Sequence, residues 1–185
     1  VIFDGHSLLY RAYHALPNTL TTRTGEPTNA VYGFTTMLLS VLRERKPAYV
    51  VVAMDVGRSF RHDAYEAYKA NRPGAPDDFL PQVERARQVL DAMGIPVFAE
   101  PGWEADDLIG TLAAQAVSQG ANVLIVSGDS DAFQLVGDHV QVLTPGRKFS
   151  DTVVYDADAV RARYHLEPRQ LIDYKALVGD KSDNG

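Results

Sequence analysis

The sequence predicts one α/β domain, with a central, mainly parallel sheet flanked by helices on both faces. Three observations carry that prediction. Continuous Val- and Ile-rich runs alternate with segments of helical periodicity, the pattern of a parallel sheet covered on both sides. Several of those runs end in acidic residues, which in such folds gather at one edge of the sheet. The 185 residues contain no internal repeat, low-complexity stretch or interdomain linker, and their length suits a single domain, 1–185.

Taken in order, VIFD at 1–4 and AYVVVAMD at 48–55 are β-rich runs, the second too continuously apolar for a half-exposed strand. Between them Val31, Phe34, Met37, Leu38, Val41 and Leu42 recur at helical spacing over 28–45, until Pro47 stops the run. Val83, Ala86, Leu90 and Met93 repeat the pattern over 78–93, with Gly94 as the C-terminal cap. PVFAE at 96–100 reads as a shorter strand. Leu108, Ile109, Leu112, Ala113 and Ala116 form a stripe over 104–118. NVLIVS at 122–127 is the next strand, followed at once by Gly128, Asp129, Ser130 and Asp131. A short helix after Asp131, strands at 139–143 and 152–155 around a Pro145-Gly146 turn, and helices at 156–165 and 168–178 complete the reading.

Composition narrows the function classes. The absence of cysteine excludes disulfides, thiolate metal sites and cysteine nucleophiles, and fits a cytoplasmic protein. No apolar run approaches the 18 residues of a membrane span, so no membrane partner is expected. The chain starts inside its first strand and stops in a polar loop at 179–185, so further sequence is expected on both sides. The net charge of −6 looks wrong for a nucleic-acid binder, but its distribution matters more. Nine of the 24 acids fall in short clusters where strands end. Setting them aside leaves 15 acids against 18 Lys and Arg, a basic remainder around an acidic site.

Those nine are Asp4, Asp55, Glu104, Asp106, Asp107, Asp129, Asp131, Asp180 and Asp183. Acids in the first turn of a helix complement its dipole, and Asp4-Gly5 and Gly128-Asp129 are ordinary turn pairs. Their concentration on one predicted sheet edge is what points to chemistry. Carboxylates at such density cannot all stay ionised without cations, and an all-oxygen donor set suits Mg²⁺ or Mn²⁺. Two such ions would activate a water and stabilise the leaving oxygen of a phosphodiester.

Between Asp55 and Pro73, Arg61, Tyr65, Tyr68, Lys69 and Arg72 fall on one face of an expected helix with few aliphatic residues. Cations interleaved with tyrosines suit a phosphate backbone and unstacked bases. The five histidines show no metal-ligand spacing, and Trp103 reads as packing.

These residues carry a resemblance. VIFDGHSLLYRAYHAL, GEPTNAVYGF, SFRHDAYEAYKANRP, EADDLIGTLA, GDSDAFQLV and LVGDKSDN occur in the order of one family and cover nearly the whole chain. The chain resembles the 5′ nuclease domain at the N-terminus of bacterial DNA polymerase I, within the flap endonuclease superfamily. The resemblance implies a PIN-like 5′ nuclease fold with a helical arch, about 57–80. It implies a metal-dependent, structure-specific 5′ nuclease that hydrolyses phosphodiesters at 5′ flaps and 5′ ends in replication and repair, including primer removal. Two or three Mg²⁺ or Mn²⁺ ions would be held by the nine acids. Asp4, Asp55, Glu104 and Asp106 would mainly serve the catalytic ion, with Asp129, Asp131, Asp180 and Asp183 nearer the second.

By the same resemblance, Lys69 and Arg72 would contact the scissile phosphate and its neighbours. Tyr68 would steady an unpaired base, Arg61 lies in the same arch, and Arg11 matches a DNA-contacting arginine after the first strand. The partners implied are DNA with a 5′ flap or single-stranded 5′ end and an RNA primer–DNA hybrid, met by a monomer with a polymerase downstream. The family continues past GDKSDN into a helix–hairpin–helix that grips duplex DNA, which this sequence does not include. Three other readings fit less well. A haloacid-dehalogenase phosphatase needs an Asp where the chain has Ile2. A compact PIN-like ribonuclease needs neither the basic segment nor the GDKSDN loop. A non-catalytic flap-binding module would lack some of the acids.

Overall fold

The computed structural model describes residues 1–71, 74–146 and 151–179. Strands β1 (Ile2–Asp4), β2 (Val51–Ala53), β3 (Val97–Phe98), β4 (Val123–Val126), β5 (Val140–Pro145) and β6 (Thr152–Tyr155) form one sheet in the order β3-β2-β1-β4-β5-β6. Pairings among β1 to β5 are parallel, and β6 runs antiparallel to β5. The helices are α1 (Gly5–Ala15), α2 (Asn29–Arg45), α3 (Phe60–Ala64), α4 (Phe79–Ala92), α5 (Ala105–Ser118), α6 (Ala157–Tyr164) and α7 (Leu171–Val178). Among the described residues no helix is long and apolar enough to cross a membrane.

Successive strand residues face opposite layers, as the period of two requires. Phe3, Val52, Val126 and Leu143 pack with Leu8, Leu9, Phe34, Leu38, Phe79 and Leu90 of α1, α2 and α4. Ile2, Ala53, Ile125 and Val142 pack with Ile109, Val160 and Leu171 of α5, α6 and α7. Each fully buried large side chain contributes about 1.5–3 kcal/mol. Two apolar layers therefore supply the stability, which leaves the carboxyl edge of the sheet free to carry unfavourable charge.

The expected strands and most helices are present, mostly with shorter bounds, although β6 has the expected bounds and β5 runs on to Pro145, which was expected in the turn. The run 48–55 pairs only from Val51, whose N–H reaches Val1 O at 3.0 Å. The helix expected after Asp131 is a 3₁₀ turn, Ser130–Leu135, and a second 3₁₀ turn, Pro168–Gln170, leads into α7. Helix α1 was not expected from the sequence. Asp4 ends β1 and also caps α1, its Oδ1 accepting from Ser7 N at 3.1 Å, so strand and helix meet with no loop between them. Gly5 makes that junction possible, because a Cβ there would stand 2.8 Å from Val52 Cγ1.

The basic segment departs further from expectation. It is not one helical face: α3 ends at Ala64, Tyr65 is extended with φ −145°, and turns follow to Asn71. A five-residue helix lacks the apolar stripe that would sustain it by packing. Its side chains are instead drawn to acids, as described below. Arg72, expected on that face, lies outside the described residues, as do Asp180 and Asp183.

The strand order reverses at β1, with β2 on one side and β4 on the other. In open parallel sheets the crevice beyond the carboxyl ends at such a reversal is where ligands bind. Asp4 ends β1 and Asp129 follows β4, so the two strands beside the reversal deliver acids to that crevice.

Candidate active site

Asp4 lies at the centre of the site and is 3 % exposed. Ser127, fully buried at the end of β4, donates to Asp4 Oδ2 at 2.6 Å, and its Oγ accepts from Asp129 N at 2.9 Å. One hydroxyl thus ties together the ends of β1 and β4. Burial pushes the Asp4 carboxyl up to about 7 against the pull of Ser127, with Asp106 and Asp55 adding repulsion. Asp106, in the first turn of α5, is raised to about 6 by burial and by Asp129 and Asp55.

Asp55 follows β2, and its Oδ1 accepts from Ala105 N, the first residue of α5, at 2.7 Å. His6 Nδ1 stands 4.0 Å from its other oxygen, and burial holds that imidazole below its usual value. Asp129 Oδ1 accepts from Asp131 N at 2.9 Å, and Asp131 pairs with Lys175 of α7. Asp4, Asp55, Asp106, Asp129 and Glu104 lie close enough to influence one another electrostatically.

The basic segment closes over Glu104. Lys69 Nζ donates to Glu104 Oε1 at 2.9 Å and Tyr68 Oη to Oε2 at 2.9 Å, while Ser59 Oγ reaches Oε1 at 3.1 Å. Burial would raise the Glu104 carboxyl, but the bonds from Lys69 and Tyr68 outweigh it and hold it below its usual value. Lys69 adopts a left-handed φ of 55° to make this contact, at a cost of about 1 kcal/mol for a residue with a Cβ. Arg61 stands 3.5 Å from Glu104 Oε2 but grips Asp107 more closely, through both guanidinium ends at 2.7 and 2.8 Å. That fork holds Asp107 below its usual value, and Asp107 Oδ2 also accepts from Glu104 N at 3.0 Å. Phe60 N donates to Gly102 O at 2.8 Å and the Phe60 ring meets Trp103 at 5.2 Å, so the base of the segment is fastened to the loop before α5.

A profile of the 5′-3′ exonuclease, N-terminal resolvase-like domain, matches residues 1–165. The chain belongs to the 5′-3′ exonuclease family. Among its relatives are DNA polymerase I of Chloroflexus aurantiacus, 51% identical over 189 residues and matched over 100% of this chain and 20% of that protein, and DNA polymerase I of Mycobacterium tuberculosis strain H37Rv, 50% identical over 186 residues, 100% and 21%. This family domain therefore spans about a fifth of those relatives' length. Solved structures share its fold: a T5 protein co-crystallized with metal ions (TM-score 0.78, 22% identity, 99% of this chain and 67% of that one), and T5 5′-exonuclease with bound zinc (0.75, 21%, 99% and 67%).

Within this 5′-3′ exonuclease domain, seven of the nine expected acids are described. Asp4, Asp55, Glu104, Asp106 and Asp129 come together, Asp131 stands beside Lys175, and Asp107 is turned to Arg61. Among the described residues no three acids or histidines are close enough to grip one ion as placed. Glu104 and Asp131 are held by lysines and Asp55 by a backbone N–H, which accounts for the spacing. The donor set nonetheless fits a divalent cation: all candidate donors are oxygens, and desolvation followed by repulsion from neighbouring carboxylates raises the Asp4 and Asp106 carboxyls. Arg11 is engaged elsewhere, its Nη2 donating to the carbonyls of Pro145 and Gly146 at 3.0 and 2.6 Å. Sequence reading missed Ser127, Ser59 and Ser7; only Ser127 had a signal, standing between an apolar strand and Gly128-Asp129.

Proposed function

We propose that this domain hydrolyses phosphodiester bonds at 5′ flaps and single-stranded 5′ ends of DNA, and at RNA primer ends, with Mg²⁺ or Mn²⁺ as cofactor. The observation that best supports this reading is the meeting of two opposed features at one point. Acids that follow β1, β2 and β4 or open α5 line the crevice, with Asp4 and Glu104 buried, and Lys69 and Tyr68 reach into it from the basic segment.

Asp4, Asp55, Glu104 and Asp106 would hold one cation, with Asp129, Asp131 and, from the sequence, Asp180 and Asp183 serving a second. Bound there, the cations would supply an activated water and charge stabilisation of the leaving oxygen. The chain's own part is positioning and electrostatics. Lys69 has the charge and reach to leave Glu104 for a phosphate drawn over the acids, with Arg72 beside it in sequence. Tyr68 carries its ring next to that ammonium, 5.0 Å away, where an unpaired base can stack. Arg61 and Asp107 brace the segment against α5 rather than meeting substrate or metal. Published relatives of the fold include a T5 flap endonuclease solved as a pseudo-enzyme–product complex with DNA and metal ions, which agrees with this substrate class.

The test is cleavage of a 5′-labelled flap duplex with Mg²⁺ or Mn²⁺, with chelator, and with Asp106→Asn. Metal-dependent incision near the flap junction, absent in the variant, is expected. Incision that persists in chelator, or in the variant at the wild-type rate, would overturn the assignment.

A further inference from the structure

A cavity of about 440 Å³ opens at the other half of the same sheet edge, beyond β4, away from Glu104 and the basic segment. Arg11, Gly128, Ser130, Phe133, Tyr155 and Arg163 are among its walls, and among the described residues its lining holds two arginines and no acid. Among the described residues, Arg161 and Lys175 near this cavity, like Arg61 and Lys69 in the basic segment, each pair with a carboxylate. Arg11 and Arg163 are held by neutral partners. Arg11 donates to two carbonyls of the β5–β6 turn. The Arg163 guanidinium lies 5.2–5.7 Å from the ring centroids of Tyr164, Tyr155 and Phe133, and donates to the Tyr155 hydroxyl.

Carbonyls and ring faces orient a guanidinium without cancelling its charge. Two oriented arginines in one cavity, paired with no carboxylate among the described residues, therefore attract an anion, although the chain as a whole carries −6. A bare phosphate would leave most of this volume empty, and the wall offers Tyr155 and the half-exposed Val153 as apolar surface. Gly128 brings the loop bearing Asp129 against this cavity, because a Cβ there would stand 3.2 Å from Arg11 Cδ and 3.0 Å from Ser7 Oγ.

We propose that this cavity receives a nucleotide unit, its phosphate toward Arg11 and Arg163 and its ring against Tyr155. The unit is either a nucleotide of the strand lying across the acids or a released nucleoside monophosphate, and the assignment rests on the nuclease reading. Arg163 is then a second nucleic-acid contact, separated from Lys69 by the acids.

Two measurements test it. Flap-duplex binding is followed by anisotropy in Ca²⁺ over a salt series, for the wild type, Arg163→Ala and Arg163→Lys, with melting temperatures as a folding control. A phosphate contact contributes about 0.7–0.9 to the slope of log affinity against log salt. Arg163→Ala is expected to lose that much slope, and Arg163→Lys to keep it. Separately, dAMP is titrated into the ¹⁵N-labelled wild-type chain, and the Gly128 and Gly146 amides are expected to shift saturably. Slope loss identifies a strand nucleotide; dAMP shifts with unchanged slope identify a free nucleotide. If folded Arg163→Ala keeps the wild-type slope and dAMP moves neither glycine, the proposal falls. Failure of the nuclease reading looks different: the wild type would not cleave, while the dAMP shifts would remain.

Discussion

Lys69 Nζ lies 2.9 Å from Glu104 Oε1, so an ammonium from the basic segment occupies a carboxylate proposed above as a cation ligand. Tyr68 holds the second oxygen of the same group. A positive charge standing at the acids, and free to exchange partners, is positioned to meet a phosphate when metal takes Glu104. Lys69→Ala is therefore expected to slow single-turnover flap cleavage by about 100-fold or more, the usual cost of removing one donor to developing charge. Binding of flap DNA in Ca²⁺ should weaken far less. A variant that cleaves at the wild-type rate would remove Lys69 from the mechanism.

The Asp4 carboxyl, raised from 3.8 to about 7, makes a second expectation about stability without metal. Between those values the folded state holds a proton that the unfolded chain has released. Stability from this group is therefore full below pH 4 and is lost as pH rises toward 7, by up to about 4 kcal/mol at 1.36 kcal/mol per unit. Glu104 and Asp107 act with the opposite sign, since both are held below their usual values. Thermal melts in chelator from pH 4.5 to 8 should show Asp4→Asn flattening the fall seen in the wild type. Equal slopes for both proteins would mean that Asp4 stays ionised in the folded chain.

The sequence carried the sheet and most helices because alternation and helical stripes report burial directly. It pointed to an acidic edge in part for the same reason, since Asp4 and Asp55 end apolar runs, while Glu104, Asp106 and Asp107 open a helix. It did not carry α1, because Asp4 and Gly5 read as a turn when they are also a cap and a tight contact with Val52. Nor did it carry the shape of the basic segment. Helical spacing put Arg61, Tyr68 and Lys69 on one face, whereas long-range attraction to Asp107 and Glu104 bends the backbone into turns. Pairings made across 35 to 46 residues leave no local periodicity to read.

Arg61 and Asp107 should behave as a brace. Their side chains are 32% and 19% exposed, so solvent weakens the pair, and its loss is expected to cost about 1–2 kcal/mol. Urea unfolding of Arg61→Ala and Asp107→Asn should show similar losses, with the double variant little worse than either. Calorimetric titration with Mn²⁺ should find Asp107→Asn near the wild-type affinity and Asp106→Asn much weaker. Equal weakening in both would make Asp107 a ligand after all.

Ser127 offers the sharpest separation of charge from packing. Its hydroxyl is buried, donates to Asp4 at 2.6 Å and holds the Asp129 amide. A bond to a charged acceptor is worth about 1.5–3 kcal/mol and a neutral one about 0.5–1.5. Above pH 7 Asp4 is ionised in the folded chain, and below it the carboxyl is protonated. Ser127→Ala removes one oxygen and adds no bulk, so packing changes little at either pH. The variant should therefore lose more stability in chelator at pH 8 than at pH 5, by urea unfolding at both. Losing its charge-assisted donor also disfavours the ionised Asp4 that a cation needs, so Mn²⁺ affinity at pH 7 should fall several-fold. The same loss at pH 5 and pH 8, with unchanged Mn²⁺ binding, would make Ser127 a linker of β1 to β4 and nothing more.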